Sequence, residues 1–161
     1  MNKLFFPLIC GCLMSAATMT AQTQNENAVN QLALNEKESI LIRTQALEKV
    51  TDQSVFNQIA LNEKESTLLL RTKAFEKVTD QSVFNQLALN EKESTLLLRT
   101  KAFEKVTDQS VFNQIVLNEK DSILLRSKAI EKVTDQSVLS QIVLNEKEST
   151  LLRTKALERL Q

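Results

Sequence analysis

The hydrophobic residues of this chain follow a helical spacing that stops and restarts at regular intervals. In residues 52–78, one apolar run is spaced i, i+1, i+4 and i+5, as on one helix face: Val55, Phe56, Ile59 and Ala60. A polar break follows, and a second helical face then appears: Leu70, Ala74, Phe75 and Val78. We expect Leu68 and Leu69 to widen this second face. The pattern predicts two short helices, A and B, joined by a polar turn.

Polar residues at the ends of these segments predict how each helix begins. Thr51 can cap helix A with its hydroxyl, and Asp52 places a negative charge in the first turn. Asn62 is a candidate cap for helix B, and Glu65 completes a pattern similar to a capping box. Asn62 could equally end helix A in the left-handed conformation.

The same two-helix pattern recurs along the chain. Residues 62–86 are repeated letter for letter at 90–114, and looser copies begin at Asn35, Asn118 and Asn145. Leucine precedes the first asparagine of every copy, at 34, 61, 89, 117 and 144, so the successive repeat lengths are 27, 28, 28 and 27 residues. A fixed period of this size is typical of repeat arrays. Because helix A is too short to be stable alone, each pair must be covered by its neighbours.

The expected fold is therefore all-α, an α-solenoid of about five two-helix repeats. The helix pairs should cover approximately residues 25–50, 51–78, 79–106, 107–133 and 134–161, within one repeat domain at 22–161. The additional residue of the 28-residue copies lies near the start of helix B, where a turn can absorb it.

A continuous coiled coil is the alternative architecture, because 28 residues also make four heptads. The apolar residues of the second repeat occupy six of the seven heptad positions, however, whereas a coiled coil concentrates them at two. The polar break recurs in every copy, and the 27-residue steps would shift the heptads. The chain has no Gly or Pro at any of the turns, so no residue forces it to reverse.

One run of the repeat resembles a known family: Lys-Glu-Ser-x-Leu-Leu-Arg-x-Lys-Ala-[Phe/Ile/Leu]-Glu-Lys-Val-Thr-Asp-Gln-Ser-Val-[Phe/Leu]. It is similar to the short HEAT-like repeats of the phycobilisome-lyase type, and the resemblance covers residues 28–161. It implies an armadillo/HEAT-like superhelix of two-helix units, with an acidic turn, an arginine early in helix B and helix B on the concave side. The sequence departs from the family at the start of helix B, which often carries an aromatic residue followed by Val-Arg.

The first 21 residues differ from the rest and resemble a secretory signal peptide. Lys3 supplies a positive start, Leu4 to Met19 is mostly apolar, and the polar chain begins at Gln22. Cleavage would follow Ala21 or, alternatively, Ala17. We therefore expect export to the periplasm or the extracellular space.

A lipid anchor is the alternative for this segment. Ile9-Cys10-Gly11-Cys12 resembles a bacterial lipobox, which makes Cys12 a candidate lipidation site and the protein a lipid-anchored envelope protein. A retained membrane span is disfavoured, because the apolar stretch is shorter than about 20 residues and contains Pro7. We expect membrane association only if Cys12 is lipidated.

Composition narrows the chemistry available to the repeat domain. Beyond residue 21 the chain has no His, Cys, Tyr or Gly, which removes the usual metal ligands, thiol nucleophiles and phosphate-binding loops. The whole chain has 20 basic and 20 acidic residues, so nothing in its charge indicates nucleic-acid binding. Equivalent groups in a repeat array lie about 10 Å apart and do not converge on one atom. We expect no catalytic residues, no metal and no cofactor.

An arginine recurs early in each helix B: Arg43, Arg71, Arg99, Arg126 and Arg153. We expect each to form an exposed structural pair with the acidic turn of the same or the next unit, contributing about 0–1 kcal/mol. The alternative is a row of anion-binding sites.

A second set of charged residues lies on the polar face of helix B and is the candidate partner-binding surface: Lys73, Glu76, Lys101, Glu104, Lys128 and Glu131. By the resemblance, this face lines the concave side. We expect a monomeric, non-catalytic scaffold that binds an unidentified protein partner there. The alternative is a structural or self-assembling helical element, such as a coiled coil, without a specific ligand.

Overall fold

The repeat folds into short α-helices that alternate along the chain. The computed structural model describes residues 16–65, 67–93 and 96–161, and these form ten α-helices and no strand. The A helices are α1 (Ala16–Leu34), α3 (Gln53–Leu61), α5 (Gln81–Leu89), α7 (Gln109–Leu117) and α9 (Gln136–Leu144). The B helices are α2 (Ile40–Lys49), α4 (Leu68–Lys77), α6 (Leu96–Lys105), α8 (Ile123–Lys132) and α10 (Thr150–Arg159). The all-α prediction is confirmed.

The chain divides into two compact units, with the boundary inside α3 between Val55 and Phe56. In the first unit, α1 packs against α2. In the second, α5 packs against α6, α7 against α8 and α9 against α10, while α5, α7 and α9 contact one another in order. Helix α8 also packs against α10. Each of these A helices therefore lies beside the B helix that follows it, as a helix pair predicts and a continuous coil does not.

Asparagine makes the turn from helix A to helix B without glycine. The Asn90 side-chain oxygen accepts a hydrogen bond from the Lys92 backbone N–H at 3.0 Å, and its backbone oxygen accepts one from the Glu93 N–H at 3.2 Å. Asn90 ends α5 in an extended conformation, with φ −76° and ψ 98°. No non-glycine residue in the described chain has positive φ. The left-handed ending considered for Asn62 and its equivalents is therefore wrong.

The residues that cap the helices differ from those expected. Aspartate, not threonine, begins helix A: Asp52 accepts a hydrogen bond from the Ser54 N–H at 2.8 Å, as Asp80 does from Ser82 in α5. Asn62 does not cap helix B, because the residue that precedes α4 is Thr67. In the 27-residue copies a serine hydroxyl caps helix B: Ser39, Ser122 and Ser149.

The additional residue of the longer copies lies in the turn, as predicted. Every B helix has ten residues, whereas the segment between A and B covers 62–67 in a 28-residue copy and 35–39 in a 27-residue copy. The core of helix B is unchanged by the insertion.

The core of the second unit contains a repeated aromatic contact between helix pairs. Phe75 of helix B lies edge-to-face on Phe84 of the following helix A, with ring centroids 5.5 Å apart, and Phe103 lies likewise on Phe112 at 5.4 Å. Edge-to-face contact is one of the two arrangements that aromatic rings prefer. Leu68 and Leu69 do not join this core and are exposed, so the prediction that they widen the buried face is wrong.

The first helix extends further towards the N-terminus than expected. Helix α1 begins at Ala16, so the predicted cleavage position after Ala21 falls inside it. Within the described residues, none of the helices combines the length and the apolar character needed to cross a bilayer. Cys12 lies outside the described residues.

Replacing Phe103 by Ala should strongly destabilise the repeat domain. The side chain is buried between two helix pairs, and phenylalanine-to-alanine changes in cores cost about 3–5 kcal/mol. Leu97→Ala, in the same helix but exposed, is the matched control and should change the free energy of unfolding by no more than about 0.5 kcal/mol. Urea unfolding followed by circular dichroism at 222 nm measures both. Equal losses would show that Phe103 is not a core residue.

Candidate functional site

The recurring arginine of helix B is buried between successive repeats. The Arg71 Nε and Nη2 donate to the Ala60 carbonyl oxygen, at 3.3 and 3.0 Å. Its Nη1 donates to Glu93 Oε1 at 2.9 Å, and its Nη2 also contacts Glu93 Oε2. One guanidinium therefore joins the end of its own helix A to the acidic turn of the next repeat.

The same arrangement recurs twice further along. Arg99 donates to the Ala88 carbonyl at 2.9 Å and, through Nη1, to Asp121 Oδ1 at 2.7 Å. Arg126 donates to the Val116 carbonyl at 2.9 Å and, through Nη1, to Glu148 Oε1 at 3.2 Å. In both, Nη2 contacts the other carboxylate oxygen. Such two-point pairs are stronger and more directional than single ion pairs.

These contacts confirm the structural pairing predicted for three of the arginines. In each of the three, the carboxylate belongs to the acidic turn of the next repeat. The expectation that the pairs are exposed is wrong, because Arg71 is 2% exposed and Glu93 is 8% exposed. Breaking a buried pair leaves an uncompensated charge and costs about 3–5 kcal/mol, far more than breaking a surface pair. The first and the last of the five arginines make the same bond to their own helix A: Arg43 donates to the Ala33 carbonyl at 3.1 Å, and Arg153 donates to the Val143 carbonyl at 3.0 Å.

In two of these pairs the start of the next helix B orients the carboxylate. Asp121 Oδ1 accepts a hydrogen bond from the Ser122 N–H at 3.0 Å, and Glu148 Oε1 from the Ser149 N–H at 2.9 Å. Negative charge at a helix N-terminus is favoured by the helix dipole. Burial by itself raises the pKa of the Glu148 carboxyl, but hydrogen bonds from Arg126 and the Ser149 N–H outweigh it and hold the pKa below its ordinary value.

The predicted partner-binding residues meet across neighbouring B helices. Lys101 Nζ lies 3.5 Å from Glu76 Oε1, and Lys128 Nζ lies 3.6 Å from Glu104 Oε1. Lys155, which was not among the candidates, lies 2.5 Å from Glu131 and lowers the pKa of that carboxyl, chiefly through their hydrogen bond. Lys73 is half-buried on α4. Most of the candidate set thus forms exposed pairs between repeats.

An exposed leucine accompanies these charges on each B helix of the second unit. Leu97, Lys101 and Glu104 are spaced i, i+4 and i+7, so they share one face of α6. The equivalent leucines are 53–61% exposed: Leu69, Leu97, Leu124 and Leu151. We call the exposed leucine, lysine and glutamate positions of α4, α6, α8 and α10 the B face. Sequence reasoning missed the leucines, although three consecutive leucines turn through about 200° and cannot all face one core.

The described residues contain no group of three acidic or sulfur side chains that could hold a metal ion. An open depression of about 440 Å³ lies beside the acidic turns and is lined by Leu89, Glu91, Gln114, Leu117 and Asp121 among others. The carboxylate of Asp121 is engaged by Arg99, and that of Glu91 accepts a hydrogen bond from Asn118. These groups are suited to holding the repeats together, and the absence of catalysis stays a prediction.

Comparisons of the chain with protein-family models, with curated proteins and with solved structures gave no match. The HEAT-like resemblance thus stays a prediction based on the repeat motif.

Replacing Glu148 by Gln should remove a pH-dependent part of the stability. Because the folded pKa lies below the unfolded value of about 4.3, the carboxylate stabilises the fold above that pH and loses this effect as pH falls through the folded pKa. We expect Glu148→Gln to lower the free energy of unfolding by about 1–3 kcal/mol at pH 7, with the difference shrinking below pH of about 4.

Urea unfolding at a series of pH values from 7 to 3 measures this difference. Glu104→Gln is the matched control, since its carboxylate is exposed and lies in a loose surface pair. A gap between wild type and Glu148→Gln that is constant over the whole pH range would contradict the assignment.

Proposed function

We propose that this chain is a HEAT-like α-solenoid that acts as a non-catalytic scaffold and binds a protein partner through the B face. The observation that carries the proposal is the exposed leucine on each B helix, beside a pair of opposite charges. Leu97 and Leu124 are 53% and 61% exposed, whereas the leucine that follows each of them in the sequence is buried in the core. Under the solenoid interpretation this face lines the concave side.

The B face has the composition of a protein-binding surface. The Lys–Glu contacts link α4 to α6, α6 to α8 and α8 to α10, so the four leucines lie on adjoining helices. Burying apolar surface contributes roughly 25 cal/mol per Å², so a row of leucines supplies binding energy that exposed charges do not. The charges are paired with each other, and they would form a polar rim that sets orientation.

The nature of the partner follows from charge and compartment. The chain has equal numbers of basic and acidic residues, which argues against nucleic acid as the partner. It favours a protein partner whose binding surface is largely uncharged and carries apolar side chains. If residues 1–21 act as a signal peptide, the partner lies in the periplasm or outside the cell. Lipidation of Cys12 would place the same scaffold at a membrane surface.

Replacing two B-face leucines by serine should strongly weaken partner binding without unfolding the protein. We expect Leu97→Ser/Leu124→Ser to reduce capture of a specific protein from the envelope or secreted fraction by about tenfold or more, because anchoring apolar contacts dominate interfaces. Charge reversal at Lys101 and Glu104 should weaken capture to a smaller extent. Quantitative mass spectrometry of affinity-purified material, with circular dichroism of each variant, provides the measurement.

Leu117→Ser/Leu144→Ser is the matched control. These leucines are 43% and 77% exposed at the ends of A helices, so the chemical change is the same on a different surface. The control should retain capture. Equal capture by the B-face variant and wild type would assign binding to another surface.

A further inference from the structure

In the last repeat, Arg153 has the same backbone contact as the arginines that bind a carboxylate in earlier repeats. The Arg153 Nε donates to the Val143 carbonyl at 3.0 Å, as the Nε atoms of Arg99 and Arg126 do to theirs. In those two repeats the remaining guanidinium nitrogens hold the carboxylate of the next turn. Within the described chain, no carboxylate pairs with Arg153. The Nε atom is therefore held in place, while no carboxylate of the described chain binds the Nη1 and Nη2 nitrogens.

Apolar surface surrounds this arginine. Leu157 is 59% exposed, whereas the equivalent residues Phe103 and Ile130 are at most 1% exposed because a following repeat covers them. An open depression of about 280 Å³ lies here, lined by Val143, Thr150, Arg153, Thr154 and Leu157. The end thus displays the surface that α8 and its predecessors bury against the next pair.

The N-terminal end displays the opposite half of the same interface. Glu38 occupies the turn position of Asp121 and Glu148, and in the described chain no arginine pairs with it. Ile42 is 41% exposed, whereas the equivalent Leu98 is fully buried. Side chains 18–28 of α1 are exposed as well. Positions that a preceding repeat covers elsewhere are therefore open in the first unit.

A second polar contact between repeats is also unmatched at both ends. The Asn90 Nδ2 donates to Glu63 Oε1 at 2.5 Å, and the Asn145 Nδ2 donates to Glu119 Oε1 at 3.3 Å. Glu146 is equivalent to Glu119, so its partner would be an asparagine of a following repeat. Asn35 is equivalent to Asn90, so its partner would be a glutamate of a preceding repeat. Both ends thus carry one partner of each repeated contact.

We propose that the C-terminal end of one copy of this chain binds the N-terminal end of a second copy. Arg153 then pairs with Glu38 of the second copy, as Arg99 pairs with Asp121 within one chain, while Glu146 accepts from Asn35. Leu157 and Ile42 supply the apolar part. The contact joins different surfaces, so it is head-to-tail and produces chains or rings. It departs from the monomer expected from the sequence and does not involve the B face.

A charge exchange between positions 38 and 153 tests this pairing. The wild-type chain should show concentration-dependent association by sedimentation velocity over the micromolar to millimolar range. Arg153→Glu alone and Glu38→Arg alone should each raise the dissociation constant on the order of thirtyfold or more, since each places like charges together. An equimolar mixture of the two variants should recover association, because both possible contacts between them then join opposite charges.

Two further variants separate the proposal from its alternatives. Leu157→Ser should weaken association by about tenfold while leaving the helical circular-dichroism signal intact. Leu97→Ser/Leu124→Ser should associate like wild type, because the B face is not involved. A wild-type chain that stays monomeric at millimolar concentration would overturn the proposal. Loss of association in the B-face variant alone, or no recovery in the mixture, would also overturn it.

Discussion

The second unit depends on a recurring buried arginine that joins three parts of the chain. In the second unit, Arg71, Arg99 and Arg126 each bond the last turn of their own helix A and the acidic turn of the following repeat. Both charged groups are removed from water, so each needs all of its hydrogen bonds. The carbonyl at the end of helix A and the N–H at the start of helix B supply them. The geometry of the helix pair and of the next pair is thereby set together.

This constraint accounts for the close similarity of the copies. A repeat must present an arginine on one side and a carboxylate on the other, and the phenylalanine contact between Phe103 and Phe112 must fit the same spacing. The same kind of interface therefore recurs between neighbouring repeats, with Glu93, Asp121 and Glu148 at equivalent positions. At the two ends of the described chain, Arg153 pairs with no carboxylate and Glu38 pairs with no arginine, and both side chains are half-buried. The proposed contact between copies uses these two ends, and the proposed partner-binding B face is a separate surface.

The helix pairs were predicted from hydrophobic spacing, and the arginine–carboxylate pairs were predicted from the recurring motif, which left open whether the carboxylate comes from the same or the next repeat. Sequence patterns did not predict that Arg71 is buried, since burial depends on how closely the next repeat approaches. Thr51 and Asp52 are both acceptable caps, and only the backbone geometry selects Asp52. Leu69 reads as core from its composition, and only the helix orientation places it outside. The candidate lysines and glutamates were found, whereas the leucines that give their face its binding character were missed.

A comparison of two double-mutant cycles tests the central claim most directly. One cycle combines Arg99→Met with Asp121→Asn, and the other combines Lys128→Met with Glu104→Gln, which is an exposed pair between repeats. The measured quantity is the coupling energy from urea unfolding at pH 7. The account predicts about 2–3 kcal/mol for the buried pair and less than about 0.5 kcal/mol for the exposed pair. A buried-pair coupling no larger than the exposed one would contradict the account.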